Sequence, residues 1–265
     1  MLKNIFTLGK KKGNKPMKIS ISNTPQAKIS EDMYGLFFED INYSLDGGLY
    51  AEMLENRNFE AVYASGCKGG YTVLPDGKYA WRVYENDGDG SALYIHMEEP
   101  LNEVNPHYLV FQAAKADSSF ANKAYDGLYM KKGLEYRVSF YAKAVRGQAD
   151  VTVMVKKNGV VYAQAQAEAV AGTDWKQYKC ILNVEQDVAQ ADFVVSVSEC
   201  AVLAFDQFSM MPSDSVMGIF RRDLVEMLQE LHPSFLRFPG GCVVEGITLA
   251  NRYRWKESIG PVAKR

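Results

Sequence analysis

Two short stretches of this 265-residue sequence combine charge, glycine and an abrupt end to apolar residues. The run Met33-Tyr-Gly-Leu-Phe-Phe-Glu-Asp-Ile41 breaks into acid at Glu39 and Asp40. Ser234-Phe-Leu-Arg-Phe238 carries Arg237 and breaks at Pro239-Gly240-Gly241-Cys242. A carboxylate at a strand end can accept hydrogen bonds from two adjacent sugar hydroxyls, and a nearby arginine can hold a second carboxylate ionised by donating to it. Two glycines let the backbone turn sharply and approach a ligand closely. Each feature also has a plain structural reading: Glu39 as a solvated charge or helix-cap partner, Pro-Gly-Gly as a turn. Hydrolysing a glycosidic bond with retention takes two carboxylates about 5–5.5 Å apart, one as acid/base and one as nucleophile. Glu39, Asp40, Glu245 and Glu257 are candidates, but none follows an asparagine, as the catalytic glutamate of many barrel glycosidases does. Spacing alone names no pair. His96, His107 and His232 are isolated and read as structural. Cys67, Cys180, Cys200 and Cys242 are scattered without CxxC pairing, which excludes a zinc-ribbon or disulfide framework and suits buried thiols in a reducing compartment.

Three zones of different texture must position these residues. The first, 17–62, opens with alternating Ile19 and Ile21. It continues into the apolar run at 33–41, which reads as a strand buried on both faces of a parallel sheet. A short helical pattern follows over Gly47–Asn56, with Leu49, Met53 and Leu54 on one stripe. The second zone, 63–212, has period two: Tyr136, Val138 and Phe140 alternate with polar neighbours, as do Phe193, Val195 and Val197. Asn158-Gly159 between two β-branched runs is a strong hairpin signal. Short strands at this spacing predict an antiparallel β-sandwich. The third zone, 213–265, returns to α/β texture. Ser213 or Ser215 is placed to cap a helix with its apolar stripe at Phe220, Leu224, Met227, Leu228 and Leu231, ended by His232-Pro233 and followed by the strand at 234–238. The fold class is therefore mixed β and α/β, a sandwich inserted near the start of an α/β domain. A (β/α)₈ barrel needs eight strands and roughly 250 residues, so two parallel strands read as a truncated (β/α)₈ TIM barrel.

The bulk composition narrows the function classes. At 47% hydrophobic and 23% charged the chain reads as globular, and a net charge of −2 gives no field that recruits nucleic acid or an anionic membrane. No apolar run is long enough to span a bilayer. The apolar stretch Ile5–Leu8 is too short for a signal peptide and its lysines follow it, so residues 1–16 are expected to be a disordered extension before a natural start at Met17, with cytoplasmic residence. Sixteen Tyr, thirteen Phe and three Trp suit a β-core as well as sugar-stacking surfaces. Trp81, Tyr94 and Trp175 are a candidate stacking platform, with Trp175 also readable as core. Trp255 reads equally as a sugar-site wall or as packing. Asp206 alone is weak support for a structural calcium, and no other metal or cofactor is expected.

Gly35-Leu-Phe-Phe-Glu-Asp-Ile-Asn42, Asp46-Gly-Gly-Leu-Tyr-Ala-Glu52 and Glu55-Asn-Arg-Asn-Phe-Glu60 resemble the opening of α-L-arabinofuranosidases of glycoside hydrolase family 51. Leu236-Arg-Phe-Pro-Gly-Gly-Cys-Val-Val-Glu-Gly246, Thr248–Arg252 and Arg254–Pro261 resemble the same family's next signature. Between them, Gly133–Lys143, Trp175-Lys-Gln-Tyr178 and Phe205–Pro212 resemble a carbohydrate-binding module of the family 4/9 type, a jelly-roll-type sandwich. The resemblance implies a retaining exo-acting hydrolase that removes terminal α-L-arabinofuranosyl groups from arabinan or arabinoxylan, with an arabinose-containing saccharide as partner and oligomerisation of the full-length enzyme allowed. By position Glu39 is similar to the family's strand-end glutamate that binds the arabinose, Arg237 to the arginine supporting the nucleophile, and Cys242 to a small polar sugar contact, where a thiol donates weakly. The family's acid/base and nucleophile glutamates lie on later strands, so no catalytic residue is expected within this chain, and the chain alone is expected not to turn over substrate. A non-catalytic carbohydrate-binding protein, or a relative acting on xylosides or glucans, are the alternatives.

Overall fold

The computed structural model describes residues 5–7, 18–25, 27–61, 77–84, 90–246, 248–249 and 252–264. Cys67 and Met17 lie outside them. Ile5–Thr7 (β1), expected in a disordered extension, pairs antiparallel with Lys18–Ser20 (β2); β-branched and aromatic residues favour that state over coil.

Most of the described chain is β. Six strands form one antiparallel sheet: Trp81–Tyr84 (β4), Ser118–Asn122 (β7), Leu128–Met130 (β8), Val151–Lys157 (β10), Val160–Gln166 (β11) and Val188–Val197 (β13), in the order β11-β10-β13-β7-β4 with β8 beside β13. Five form the other: Ala92–His96 (β5), Tyr108–Gln112 (β6), Glu135–Arg146 (β9), Lys176–Asn183 (β12) and Val202–Pro212 (β14), ordered β12-β9-β14-β6-β5. The sheets face one another across a common core. Phe120 of β7 meets Phe205 of β14 at 5.2 Å, and Trp81 of β4 meets Phe208 of β14 at 4.9 Å. Burying each such ring stabilises the fold by about 1.5–3 kcal/mol. The period-two reading of β9 holds: Tyr136, Val138 and Phe140 are buried while Glu135 and Arg137 are exposed. Strand β13 departs from it, because Val194 is buried as well, against Tyr84 and Ala121 on the sheet's other face. The Asn158-Gly159 hairpin forms as read, with φ of 51° and 77° at the two turn residues.

Trp81 is 5% exposed in the core and Tyr94 is 47% exposed, so the three-residue stacking platform does not assemble. Trp175 packs edge-on against Tyr108 and donates its indole N–H to the Glu99 carbonyl. The core also reaches outside zone two, because Leu54 and Phe59 are fully buried in it.

The α/β portion is sparser. Leu36–Phe37 (β3) and Leu236–Arg237 (β15) form a two-stranded parallel sheet, Leu36 opposite Leu236 and Phe37 opposite Arg237. The expected strand buried on both faces is not seen. Met33, Tyr34 and Phe37 are half or more exposed, since β3 has one strand neighbour among the described residues. Nor is Gly47–Asn56 a helix: Leu45–Leu49 is an irregular turn in which Asp46, Gly47 and Gly48 have non-helical backbone angles, Tyr50 is extended, and bends and turns follow from Glu55. The helix of zone three spans Arg222–Glu230 (α1). Its N-cap is Arg221, not Ser213 or Ser215; Arg221 donates to Asp223 in the first turn, while Phe220 lies before the helix and bridges to Tyr50. No helix among the described residues is long and apolar enough to cross a membrane.

Candidate functional site

Strands β3 and β15 bring together the two stretches singled out by their chemistry. The Phe38 N–H donates to the Arg237 carbonyl at 2.8 Å and the Leu36 N–H to the Phe235 carbonyl at 2.9 Å, fixing the parallel register. Side chains two apart along a strand share a face, so Glu39 follows Phe37 on one side of the pair. Just past β15 the chain turns through a cis Phe238–Pro239 bond into Gly240-Gly241. The Gly241 N–H donates to Glu39 Oε1 at 2.9 Å. Gly240 has φ of 145°, and a Cβ placed there would lie 2.7 Å from Glu39 Cγ. Only a residue without a side chain lets the turn close on the carboxylate. On the other edge the Arg237 guanidinium lies 4.7 Å above the Phe37 ring. Phe37 thus orients the arginine, and its ring edge and the Glu39 carboxylate both lie against Gly241.

The loop after Glu39 is tied down as well: the Glu39 carbonyl accepts from the Ile41 N–H and from the Ser44 hydroxyl. Cys242 is exposed at the start of the short helix Cys242–Glu245 (α2), the element directly after the glycine turn. A carboxylate has room for about four acceptor contacts, and the Gly241 N–H fills one of them at Glu39. Glu257 ion-pairs with Arg254 at 3.0 Å, Glu245 is exposed at the end of α2, and Asp40 is exposed beyond Glu39. Trp255 is 55% exposed, with Lys256 over its ring.

A second set of acids, which sequence reading did not single out, is held by hydrogen bonds elsewhere. Glu52 is buried and accepts hydrogen bonds from the N–H groups of Met53, Leu54 and Met210 and from the Ser209 hydroxyl, at 2.7–3.1 Å. Burial nonetheless raises its pKa, with Arg57 and these donors opposing. Glu55, raised by burial, accepts from the Tyr43 hydroxyl, and Tyr43 packs edge-on to Tyr125. His107, read as isolated, meets Glu60 across 47 residues of sequence: its backbone N–H donates to Oε1 at 2.9 Å and its ring Nδ1 hydrogen-bonds Oε2 at 2.6 Å. The signal for Glu52 was masked by the Leu49-Met53-Leu54 pattern, which imitates a helix.

Asp206 is fully buried; Oδ1 accepts the Gln207 N–H at 2.7 Å and Oδ2 has no hydrogen-bond partner among the described residues. Burial pushes its pKa up to about 8, with repulsion from Glu60 adding to it. No group of three His, Cys, Asp or Glu residues is gathered among the described residues. Calcium takes six to eight oxygens, and Asp206 with Glu60 supplies too few carboxylates to fit it alone. The site fits a protonated acid.

Residues 51–201 match the family model described as a carbohydrate binding domain, and the chain belongs to that family. Residues 227–265 match the alpha-L-arabinofuranosidase 1 domain. Relatives along nearly the whole chain carry the same name. An extracellular exo-alpha-L-arabinofuranosidase of Streptomyces chartreusis is 35% identical over 93% of this chain and 30% of its own length. Alpha-L-arabinofuranosidase 2 of Arabidopsis thaliana is 30% identical over 92% of this chain and 36% of its own. The arabinose-bound MgGH51 α-L-arabinofuranosidase superimposes with a TM-score of 0.78 at 28% identity, over 92% of this chain and 40% of that one. The chain is therefore related to the α-L-arabinofuranosidases, and it spans about a third of the length of the curated relatives it matches.

Proposed function

We propose that this chain forms the sugar-holding front part of a retaining exo-acting α-L-arabinofuranosidase, which removes terminal α-L-arabinofuranosyl groups from arabinan or arabinoxylan oligosaccharides. In this reading β3 and β15 are the first two strands of a (β/α)₈ barrel, α1 is its first helix, and the two-sheet unit is a jelly-roll sandwich inserted between β3 and α1. Glu39 accepts from hydroxyls of the terminal arabinose, and Cys242 flanks the sugar. Arg237, stacked on Phe37, lowers the pKa of the nucleophile by donating to it. The acid/base and nucleophile glutamates belong to strands after β15. The observation that carries the reading is the closure of Gly241 onto Glu39 beside the parallel β3–β15 pair, which makes one concave turn from two segments 202 residues apart. A cytoplasmic location rests on the first residues of the sequence alone, and the Streptomyces relative is named extracellular.

The test is an NMR titration of the chain with L-arabinose, following the Gly240 and Gly241 amides. Those amides are expected to shift with L-arabinose, and Glu39→Gln is expected to weaken the effect. Unmoved amides at saturating sugar would refute the site. The carbohydrate-binding-domain match over residues 51–201 supports a second reading, in which the sandwich itself is the working unit. Binding of arabinoxylan that is insensitive to Glu39→Gln favours that one.

A further inference from the structure

We propose that the outer face of the five-stranded sheet holds a site for an acidic saccharide, one whose uronate carboxylate is read by Arg137 and Lys179. The proposal rests on residues 51–201 being a carbohydrate-binding domain, and it names a different face from the Glu39 turn. A groove of about 820 Å³ runs over β12, β9 and β14, walled by Gln166 of β11 and by the loop at Gly218. Its floor follows from the strand register. Lys179 lies opposite Ser139, and Ser139 opposite Ser209; Ile181 lies opposite Arg137, and Arg137 opposite Met211. Their neighbours Tyr178, Val138, Phe140 and Met210 are in the core, so alternation turns these six outward.

The charge pattern in the groove is one-sided. Arg137 and Lys179 are exposed, no acidic side chain lines the groove, and neither forms an ion pair among the described residues. Glu135, the next outward residue on β9, lies outside the lining. The two cations occupy diagonal positions on adjacent strands, about 7–8 Å apart at the backbone, within reach of one carboxylate between them. Arginine's planar fork takes a carboxylate on two parallel bonds. Ser139 can meet sugar hydroxyls, as can the Ser209 oxygen, whose own proton goes to Glu52 at 2.7 Å. Ile181 and Met211 flank Arg137 and offer apolar surface to a ring face. Cys180 beneath is a neutral thiol, its pKa pushed up to about 11 by burial. A neutral sugar would leave both cations without counter-charge.

Calorimetric titration of the chain with a xylo-oligosaccharide bearing a glucuronate branch, and with its carboxyl-reduced counterpart, tests the assignment. The acidic sugar is expected to bind about tenfold or more tighter, with the preference shrinking as salt rises. Arg137→Gln and Lys179→Gln, both at exposed positions, are each expected to remove most of that preference without changing the melting temperature. Equal binding of the two sugars, binding of neither, or a preference that survives both substitutions would overturn the proposal. The L-arabinose response at Gly241 is read separately, so loss of the groove leaves the arabinose reading standing, and the reverse.

Discussion

Replacing Asp206 by Asn should remove a large part of the chain's pH dependence of stability. Asp206 is fully buried on β14, with one oxygen hydrogen-bonded and the other without a partner among the described residues. Its pKa rises from an ordinary 3.8 to about 8, chiefly through burial. Because the folded state holds the proton more tightly than the unfolded chain, the contribution is fully present below the unfolded pKa. It is lost progressively as pH rises toward the folded one. Each pH unit in that window is worth about 1.4 kcal/mol, so between pH 5 and pH 7 the native chain should lose on the order of 3 kcal/mol through this group. At roughly 2–4 °C per kcal/mol for a chain of this size, that is on the order of 5–10 °C in melting temperature. Glu52, Glu55 and Asp46 are raised by burial too and push in the same direction. The difference between the native chain and Asp206→Asn isolates the one group. The assay is urea denaturation across pH 5–7 in chelator. An Asp206→Asn variant that keeps the native slope would refute the assignment of a neutral buried acid. Repeating the series with Ca²⁺ decides the calcium expectation, because a cation at Asp206 would keep the carboxylate ionised and flatten the slope.

Two further substitutions probe the parts around the turn. Glu52→Ala strands the buried N–H groups of Leu54 and Met210 and the Ser209 hydroxyl, while the Met53 N–H keeps the Met210 carbonyl, and is expected to cost about 2–4 kcal/mol in chemical denaturation; a loss under about 1 kcal/mol would contradict the pinning role given to it. Gly240→Ala forces a Cβ to within 2.7 Å of Glu39 Cγ at a φ of 145°, and should abolish the L-arabinose response at Gly241 while leaving the sandwich's thermal transition in place.

The sandwich was legible in the sequence because its signals are local. Alternation in Glu135–Arg146 and the Asn158-Gly159 turn each need only neighbours along the chain or across one hairpin. The Glu39–Gly241 contact was legible only in outline, through two apolar runs that end in charge and glycine. What the sequence could not display was the burial contributed by distant partners. Met33–Ile41 reads as doubly buried, yet with β15 as its one strand neighbour among the described residues Phe37 stays 53% exposed and serves instead as the platform for Arg237. Gly47–Asn56 reads as a helix, yet Glu52 takes donors from β14, 157 and 158 residues later, and ties the segment to that strand. Trp81, a candidate member of a sugar-stacking platform, is core, because Phe59, Phe120 and Phe208 close around it.

That same pinning explains how a candidate site can be assembled from segments so far apart. Bringing Glu39 to Gly241 directly would close a loop of 202 residues. The Met53 N–H donates to the Met210 carbonyl at 3.1 Å, the Ala51 N–H to the Ile219 carbonyl at 2.8 Å, and Glu52 bridges to Met210, so the sandwich's entry and exit are already side by side. With Glu52 and Met210, 158 positions apart, joined through one folded unit, a separation of about 44 of the 202 remains to be closed. Closure entropy grows only as the logarithm of length, so the saving is about 1 kcal/mol. The larger effect is geometric. Two strands that leave a rigid body at adjacent points are held in one register, and a register fixed at β3–β15 is what sets Gly241 against Glu39 and Arg237 against Phe37. The two-sheet unit thus acts on the candidate site through the Glu52 pin, independently of whether its own outer face binds saccharide.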